Sequence, residues 1–350
     1  MIARFFYAWE RRLFDRTDDR VVRPFEWGLD WTGANGHAAS AAPDAALAEW
    51  ARAALADSPR FFDAPPTSDY AWEPESDGDR TCAGTVMFPS VITTPHPENN
   101  TVYGRLFPAR RKKGGGEDRR RAVVVLPQWN GDTDAHVSLC RLLAAVGINA
   151  LRLSMPYHDR RMPPILHRAD FIVSANVGRT LEVCRQAVVD ARRAVRWLAR
   201  EGYERIGILG TSLGSCLAML TAAHEPLIKT EALNHISRYF ADVVWEGLST
   251  EHVRASLDGK VTLDRLRELW MPISPQAYVA RVREKRTLLV YARYDTTFPV
   301  HLSRGLIDEF DRLGVPYQSA VLPCGHYTTG LAPFKYLDGY LLTKFLVKNL

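Results

Sequence analysis

The sequence predicts an α/β protein with a mostly parallel, twisted sheet and helices on both of its faces. From about residue 85 onward, short apolar runs alternate with longer stretches of helical periodicity, which favours parallel strands joined by crossover helices. The run Ala122–Leu126 is continuously apolar, as expected for a strand buried on both faces. Residues 178–200 carry apolar side chains at helical spacing, which predicts a long helix packed on that sheet.

The remaining elements of this sheet follow from the same patterns. Residues 86–94 and 101–107 are predicted to form an antiparallel pair ahead of the parallel strands. Parallel strands are predicted at residues 122–126, 148–153, 206–209, 231–236, 287–292 and 318–322. Helices are predicted at residues 133–145, 178–200, 213–223 and 336–348. The predicted core domain therefore covers residues 85–350.

Residues 1–84 are predicted to form a helical extension packed on that core domain. Helices are expected at residues 2–13 and 44–56, with Gly- and Pro-containing connectors between and after them. The apolar stripe of the first helix is formed by Ile2, Phe5, Phe6, Trp9 and Leu13. We expect this stripe to pack on the core, the alternative being peripheral contact of residues 2–14 with a membrane surface.

Residues 237–286 form an insertion of about 50 residues between two predicted strands, with a mostly helical pattern. Both of its ends emerge at the carboxyl edge of the sheet, where open α/β folds bind ligands. It carries more apolar surface than an exposed connector needs, including Trp245 and Trp270. We therefore expect a lid over an apolar ligand pocket, the alternative being a cover for the side of the sheet.

Composition excludes several classes of protein. Of the 350 residues, 46% are apolar and 24% are charged, which is typical of a globular protein. No run of about 18 apolar residues predicts a transmembrane helix, and the first residues acquire charge too early for a signal peptide. The five cysteines form no C-x-x-C pair, which favours reduced, buried thiols and a cytoplasmic location.

The net charge of +5 is concentrated in one short run, residues 110–121, with seven basic and two acidic residues. Three glycines, residues 114–116, interrupt this run, which predicts an exposed loop. A nucleic-acid footprint would spread basic residues over a face and interleave aromatic ones. Nucleic-acid binding is therefore not expected.

The strongest local motif is the sequence Gly-Thr-Ser-Leu-Gly at residues 210–214. It follows an apolar strand directly and opens an apolar helix, the context that a G-x-S-x-G nucleophile turn requires. Glycines two residues before and after Ser212 relieve the crowding of a tight turn, and the helix behind it directs N–H groups at the reacting centre. The motif predicts that Ser212 is a nucleophile.

A serine nucleophile needs a base, and the base needs a group that orients it. Asp295 comes after a predicted strand, and His326 lies in a loop between the last strand and the terminal helix. We therefore expect Asp295 as the acid and His326 as the base. The alternatives are that Asp295 caps a helix and that His326 is a turn residue; if Asp295 is not the acid, Asp242 is the next candidate.

Residues 85–350 resemble the α/β-hydrolase superfamily, with Ser212, Asp295 and His326 in the chain order of its catalytic triad. The segment 155–161 is similar to that of serine esterases and dienelactone-hydrolase-like proteins, although dienelactone hydrolases proper use a cysteine nucleophile. The resemblance implies an oxyanion hole formed by two backbone N–H groups. One belongs to Leu213, and the other to Trp129 or Gln128, because Pro127 and Gln128 stand where the family commonly has His-Gly.

The predicted function is hydrolysis of a small-molecule carboxylic ester through an acyl-enzyme. The same triad would serve a thioesterase or a peptidase, and a catalytically silent scaffold used for binding is the alternative from another class. Tyr157 and His158 follow a strand and are expected to line the substrate pocket. No nucleotide-binding motif occurs and no cofactor is expected. The group Asp132, Asp134 and His136 fits a helix cap better than a metal site.

Overall fold

The computed structural model describes residues 2–33, 42–75, 81–109 and 120–350. Within these ranges nine strands form one sheet in the order β1-β2-β3-β5-β4-β6-β7-β8-β9. The strands are β1 Ala71–Pro74, β2 Gly84–Pro89, β3 Thr101–Phe107, β4 Arg121–Leu126, β5 Asn149–Leu153, β6 Arg205–Thr211, β7 Ile228–Asn234, β8 Arg286–Ala292 and β9 Gln318–Leu322. Most of the predicted basic loop, residues 110–119, lies outside the described residues.

The sheet is antiparallel at one edge and parallel over the rest. Strands β1, β2, β3 and β5 pair antiparallel in that order. From β5 through β4, β6, β7 and β8 to β9 every pair is parallel. The mostly parallel sheet predicted from the sequence is thus confirmed, and the carboxyl ends of its central strands meet at one edge.

Helices cover both faces of the sheet. They are α1 Ile2–Phe14, α2 Leu29–Thr32, α3 Pro43–Ala56, α4 Ser58–Phe61, α5 Val137–Ala145, α6 Val177–Arg200, α7 Leu213–His224, α8 Phe240–Glu246, α9 Glu251–Leu257, α10 Leu263–Leu269, α11 Val300–Leu313 and α12 Phe334–Asn349. Alternate residues of β4 enter two different cores: Val124 packs in the core that contains α6 and α7, and Val125 in the one that contains α5 and α12. This alternation follows from the two-residue period of a strand.

Several boundaries differ from the prediction. Strand β1 was not expected; it is a short, exposed edge strand without the alternation that marks a half-buried one. Strand β7 begins and ends earlier than predicted, so residues 235 and 236 lie beyond the sheet. Helix α5 begins at Val137 rather than at residue 133, because the Asp132 carboxylate first accepts the N–H groups of Asp134 and Ala135 in a turn.

Helix α1 buries a different stripe from the one that its apolar residues predict. Its buried residues are Phe6, Glu10 and Phe14, at a spacing of four. Ile2 and Phe5, which the sequence placed on the packed face, are 65% and 61% exposed. The helix is therefore rotated so that a carboxylate lies at the centre of its contact with the core.

Two further expectations concern membranes and thiols. Among the described residues, no helix combines the length and the hydropathy needed to cross a bilayer. The five cysteines are all buried, and none forms a disulfide.

Candidate active site

Ser212 lies in the turn between β6 and α7 with φ 57° and ψ −122°, a backbone conformation with positive φ that side-chain-bearing residues rarely adopt. Both glycines of the motif are required by close approach. A Cβ atom at Gly210 would lie 2.0 Å from the carbonyl oxygen of Gly214, and one at Gly214 would lie 2.3 Å from that of Leu126. The steric reason for the G-x-S-x-G spacing therefore holds at both positions.

The three residues singled out by the sequence lie in one chain of hydrogen bonds. His326 Nε2 is 3.1 Å from Ser212 Oγ, and His326 Nδ1 is 2.9 Å from Asp295 Oδ2. The imidazole also stacks on Phe298, with the rings 5.3 Å apart and nearly parallel. Asp242, the other candidate acid, instead accepts a hydrogen bond from Arg267 at 2.6 Å.

The Asp295 carboxylate is buried and accepts hydrogen bonds on both oxygens. The backbone N–H groups of Thr297 and Phe298 donate to Oδ1 at 2.9 and 2.6 Å. Burial favours the neutral acid, but the neighbouring imidazoles outweigh it and hold the pKa of Asp295 well below its ordinary value. Burial likewise opposes the charged form of His326, yet the Asp295 carboxylate raises the pKa of that imidazole. Asp295 is therefore an anion that orients His326 and stabilises its protonated form.

His235 is a second imidazole on the same carboxylate; it precedes Asp295 in the chain, whereas the histidine of an α/β-hydrolase triad follows the acid. It follows β7 with φ 55°, and its Nδ1 lies 2.8 Å from Asp295 Oδ2. Burial lowers its pKa, so the ring is neutral and donates its Nδ1–H to the carboxylate. No motif marks this residue; its position just after a central parallel strand is the one signal in the sequence.

Among the described residues, one group of three histidine, cysteine or acidic side chains is compact enough to hold a metal ion. It consists of His235, Asp295 and His326, whose nitrogen and oxygen atoms lie within 4.8 Å of one another. Both histidine Nδ1 atoms lie at hydrogen-bond distance from a single oxygen of Asp295. In that arrangement each Nδ1 carries a proton, and a protonated nitrogen has no lone pair for a metal. The geometry fits a hydrogen-bonded cluster.

The loop after β4 lies beside Ser212 and presents free backbone N–H groups. Neither Gln128 nor Trp129 donates its backbone N–H to an acceptor within the part of the chain that the structure describes. The N–H of Leu213 opens α7, where the first turn of a helix leaves such groups unpaired. The neighbouring N–H of Asn130 is already taken by His158 Nε2 at 3.0 Å. Gln128, Trp129 and Leu213 thus remain the candidates for an oxyanion hole.

Side chains fix the conformation of this loop. The Trp129 indole donates to the carbonyl of Ala169 at 2.9 Å and stacks on His252. His158 accepts the Asn130 N–H, donates from Nδ1 to the Pro156 carbonyl at 2.8 Å, and has a pKa lowered to about 4 by burial. A neutral histidine in one defined tautomer therefore supports the loop.

A cavity of about 1260 Å³ opens at Ser212. Its lining includes Ser212 and His326 together with the loop after β4. One wall is apolar and comes from α7, α8 and the segment after β8; it consists of Cys216, Phe240, Val243, Val244 and Phe298. The cavity continues between α5 and α12, where Leu139, Leu142, Tyr336, Tyr340 and Val347 line it. The site is therefore a large, mostly apolar cleft with a few converging polar groups.

Four residues expected in the pocket do not line this cavity. Tyr157 is fully buried, and its hydroxyl lies 3.1 Å from His96 Nδ1. His158 accepts the Asn130 N–H and supports the loop after β4 from behind. Trp270 is 0% exposed and donates its indole N–H to the Val177 carbonyl, whereas Trp245 packs under the Arg254 guanidinium. The aromatic rings of Tyr157, Trp245 and Trp270 pack within the protein. On the lid side, Phe240, Val243 and Val244 of α8 line the cavity instead.

Glu10 is the other residue that the sequence analysis did not single out. It belongs to α1, is 0% exposed, and accepts hydrogen bonds from the loop that follows His326. A glutamate at helical spacing between Phe6 and Phe14 is the only sequence signal for it.

The sheet order, the turn at Ser212 and the cleft at the carboxyl edge define an α/β-hydrolase fold. The family model "Alpha/beta hydrolase domain containing 18" matches residues 87–254. Residues 87–254 are thus similar to this family, and the chain has the α/β-hydrolase fold. Among curated proteins, no sequence matches it.

Solved structures with this fold include esterases and peptidases. Acetyl xylan esterase 1 from Thermoanaerobacterium is 12% identical with a TM-score of 0.60, and the match covers 97% of this chain and 98% of the esterase. The acetyl xylan esterase from Paenibacillus sp. R4 is 15% identical with a TM-score of 0.60, covering 97% and 99%. Acylaminoacyl peptidase from Pyrococcus horikoshii is 16% identical with a TM-score of 0.58. That match covers 80% of this chain but 42% of the peptidase, so the chain spans less than half of the peptidase's length.

Proposed function

We propose that this protein is a serine hydrolase that cleaves small-molecule carboxylic esters through an acyl-enzyme intermediate. The observation that carries the proposal is the hydrogen-bonded chain from Ser212 Oγ through His326 to Asp295, at 3.1 and 2.9 Å, at the floor of a cleft. These distances lie within the range that a nucleophile, its base and an orienting group require.

In the proposed reaction, Ser212 Oγ attacks the ester carbonyl while His326 Nε2 takes the hydroxyl proton. The tetrahedral oxyanion accepts hydrogen bonds from the N–H of Leu213 and from that of Trp129 or Gln128, each donor contributing about 3–4 kcal/mol. When the C–O bond breaks, the alkoxide takes the proton from His326 and leaves as an alcohol. Water, deprotonated by His326, then attacks the acyl-serine. The bond between the acyl carbon and Ser212 Oγ breaks, Ser212 takes the proton back from His326, and the carboxylic acid is released.

Because the wall of the cleft beside Ser212 is apolar, we propose that the acyl part of the substrate binds there. We propose that residues 237–286 act as the lid of this site, contributing Phe240, Val243 and Val244 to the acyl side. Thioesters and amides pass through the same tetrahedral intermediate, so esterase, thioesterase and peptidase activities differ in the leaving group. Comparison of kcat/KM for p-nitrophenyl esters, thioesters and anilides that share one acyl group distinguishes them.

A fluorophosphonate probe tests the proposal directly. We expect one covalent adduct per chain, located at Ser212 by peptide mass spectrometry, and none in Ser212→Ala. Ser215 provides a matched control: it is a buried serine three residues away whose hydroxyl donates to the Ser212 carbonyl. Ser215→Ala should still react. An unlabelled wild-type protein, or a label elsewhere, would leave the silent scaffold as the correct interpretation.

A further inference from the structure

Glu10 connects the N-terminal helix to the loop of the candidate base. Its Oε2 accepts the Tyr327 N–H at 2.8 Å, and its Oε1 accepts the Thr328 N–H at 2.9 Å and the Thr328 hydroxyl at 2.8 Å. The first of these donors is the residue directly after His326. A carboxylate that accepts three hydrogen bonds holds a loop more firmly than a neutral acceptor would, because hydrogen bonds to an ionised group are roughly twice as strong.

The loop is shaped to receive this carboxylate. A Cβ atom at Gly325 would lie 2.4 Å from Glu10 Cδ and 2.5 Å from Oε1. Glycine on one side of His326 and the two donors on the other thus enclose the Glu10 side chain. The fit is specific for a side chain of this length that arrives from α1.

Two aromatic residues of α1 contact the chain neighbours of Asp295 and His326. Phe6 stacks on Tyr294, which precedes Asp295, with ring centroids 4.5 Å apart. Phe14 packs edge-on against Tyr327 at 6.4 Å. The helix therefore lies across the acid loop and the histidine loop at once, with Glu10 between its two aromatic contacts.

Electrostatics give Glu10 a second effect on the base. Burial raises the pKa of Glu10, and the three hydrogen bonds oppose that rise by favouring the carboxylate. Its charge, together with that of Asp295, raises the pKa of His326 against the effect of burial. The ionisable groups around the imidazole are Glu10 from α1, Asp295 after β8, His235 after β7 and Tyr327 on its own loop.

We propose that Glu10 is a positioning residue for the active site, which orients the loop of His326 and helps stabilise the imidazolium that forms when Ser212 loses its proton. The inference rests on the proposed function, in which His326 is the base. It makes α1, which lies outside residues 87–254, part of the catalytic apparatus without any contact to the substrate.

The test is the pH profile of Glu10→Gln. In the wild type, kcat/KM for a p-nitrophenyl ester should rise with pH as His326 loses its proton, with a midpoint above the ordinary histidine value of about 6.5. The neutral amide of the Glu10→Gln variant cannot supply the negative charge, so the midpoint should move to lower pH by roughly 0.5–1 unit. On the plateau kcat/KM should fall on the order of 10-fold to 100-fold, because the imidazole is less well oriented.

Glu182→Gln is the matched control, since Glu182 is another buried carboxylate, paired with Arg185 on α6. It should change the melting temperature without moving the midpoint of the pH profile. If Glu10→Gln does not fold, Thr328→Val removes one of the three donors and, with it, the acceptor of the Gly325 N–H. Loss of the donor favours the neutral form of Glu10, so the midpoint should shift in the same direction by less. A midpoint and plateau equal to those of the wild type would overturn the proposal.

NMR separates this proposal from the proposed function. The imidazole signals of His326, identified among those of the ten histidines by their loss in His326→Gln, report its pKa without any substrate. If the wild type does not react with a fluorophosphonate, the hydrolase proposal fails, and the Glu10 inference still stands or falls on this titration. An unchanged titration in Glu10→Gln refutes it, whereas a lower pKa supports it.

Discussion

The turn that carries Ser212 and the loop that carries His326 are stabilised in different ways. At Ser212 the necessary small residues, Gly210 and Gly214, belong to the same five-residue motif. A Cβ atom at Gly210 would meet the backbone of Gly214, and one at Gly214 would meet the Leu126 carbonyl oxygen of β4. At His326 the neighbouring loop is held by Glu10, more than 300 residues earlier in the chain. The residues that the Ser212 turn requires thus lie within one short motif, whereas the residue that holds the His326 loop lies far away in the sequence.

The difference explains why a motif is enough to identify the candidate nucleophile but not the groups that position the candidate base. Backbone sterics of a tight turn restrict which residues fit within the turn itself. A buried carboxylate that accepts three hydrogen bonds restricts only its donors, and two of these are backbone N–H groups that any residue except proline supplies. Little in the sequence around His326 therefore shows that Glu10 is needed.

The largest expected effects come from variants that break the chain of hydrogen bonds joining the two regions. His326→Ala should lower kcat by about 10⁶-fold, because the members of a triad act as a unit. Asp295→Asn should lower it by about 10⁴-fold, since an amide keeps the shape of the side chain but favours the wrong tautomer of His326. Burst-phase kinetics with a p-nitrophenyl ester measure both. Nearly full activity in Asp295→Asn would require another acid.

Two variants, Gly214→Ala near Ser212 and Gly325→Ala next to His326, compare the two regions directly. At Gly214 the added Cβ meets backbone carbonyl oxygens, which cannot move, so Gly214→Ala should lower the free energy of unfolding by about 3 kcal/mol or more. At Gly325 it meets the Glu10 side chain, which can move. Gly325→Ala should therefore cost about 1–2 kcal/mol and lower kcat/KM on the order of 10-fold.

Urea denaturation and kinetics on the same samples decide between these outcomes. If Gly325→Ala proves as destabilising as Gly214→Ala, the histidine loop is as rigidly enclosed as the nucleophile turn, and the contrast between the two regions disappears. A double variant, Glu10→Gln with Gly325→Ala, should lose little more activity than either single variant, because both act through one contact.

The smallest expected effect on activity concerns the wall of the cleft. Trp270→Ala should lower the free energy of unfolding by about 3–5 kcal/mol and leave the acyl preference unchanged, because Trp270 is buried behind Phe240 and does not itself line the cavity. Val243→Phe should retain stability and reduce kcat/KM for bulky acyl esters relative to acetyl esters by on the order of 10-fold, because Val243 lines the wall. A changed acyl preference in Trp270→Ala would show that Trp270 contributes to binding of the acyl group.

Much of the sheet was predictable because periodicity reflects burial. Strands β3, β8 and β9 and helices α6, α7 and α12 lie within a few residues of their predicted bounds, since each presents long apolar runs or clear helical spacing. The failures have one cause. Strand β1, the buried stripe of α1 and the lining of the cleft depend on which surfaces meet, and aromatic residues such as Trp270 look the same in the sequence whether they face a core or a cavity.

The sequence by itself determined the fold class, the turn at Ser212 and the chain order of the three residues that the structure joins by hydrogen bonds, because each of these follows from local sterics, periodicity and topology. Only the tertiary structure decided that His235 shares the Asp295 carboxylate, that His158 supports the loop after β4 and that Glu10 holds the loop of His326. The physical reason is that hydrogen bonds and burial depend on distances in space, which the spacing of residues along the chain does not contain.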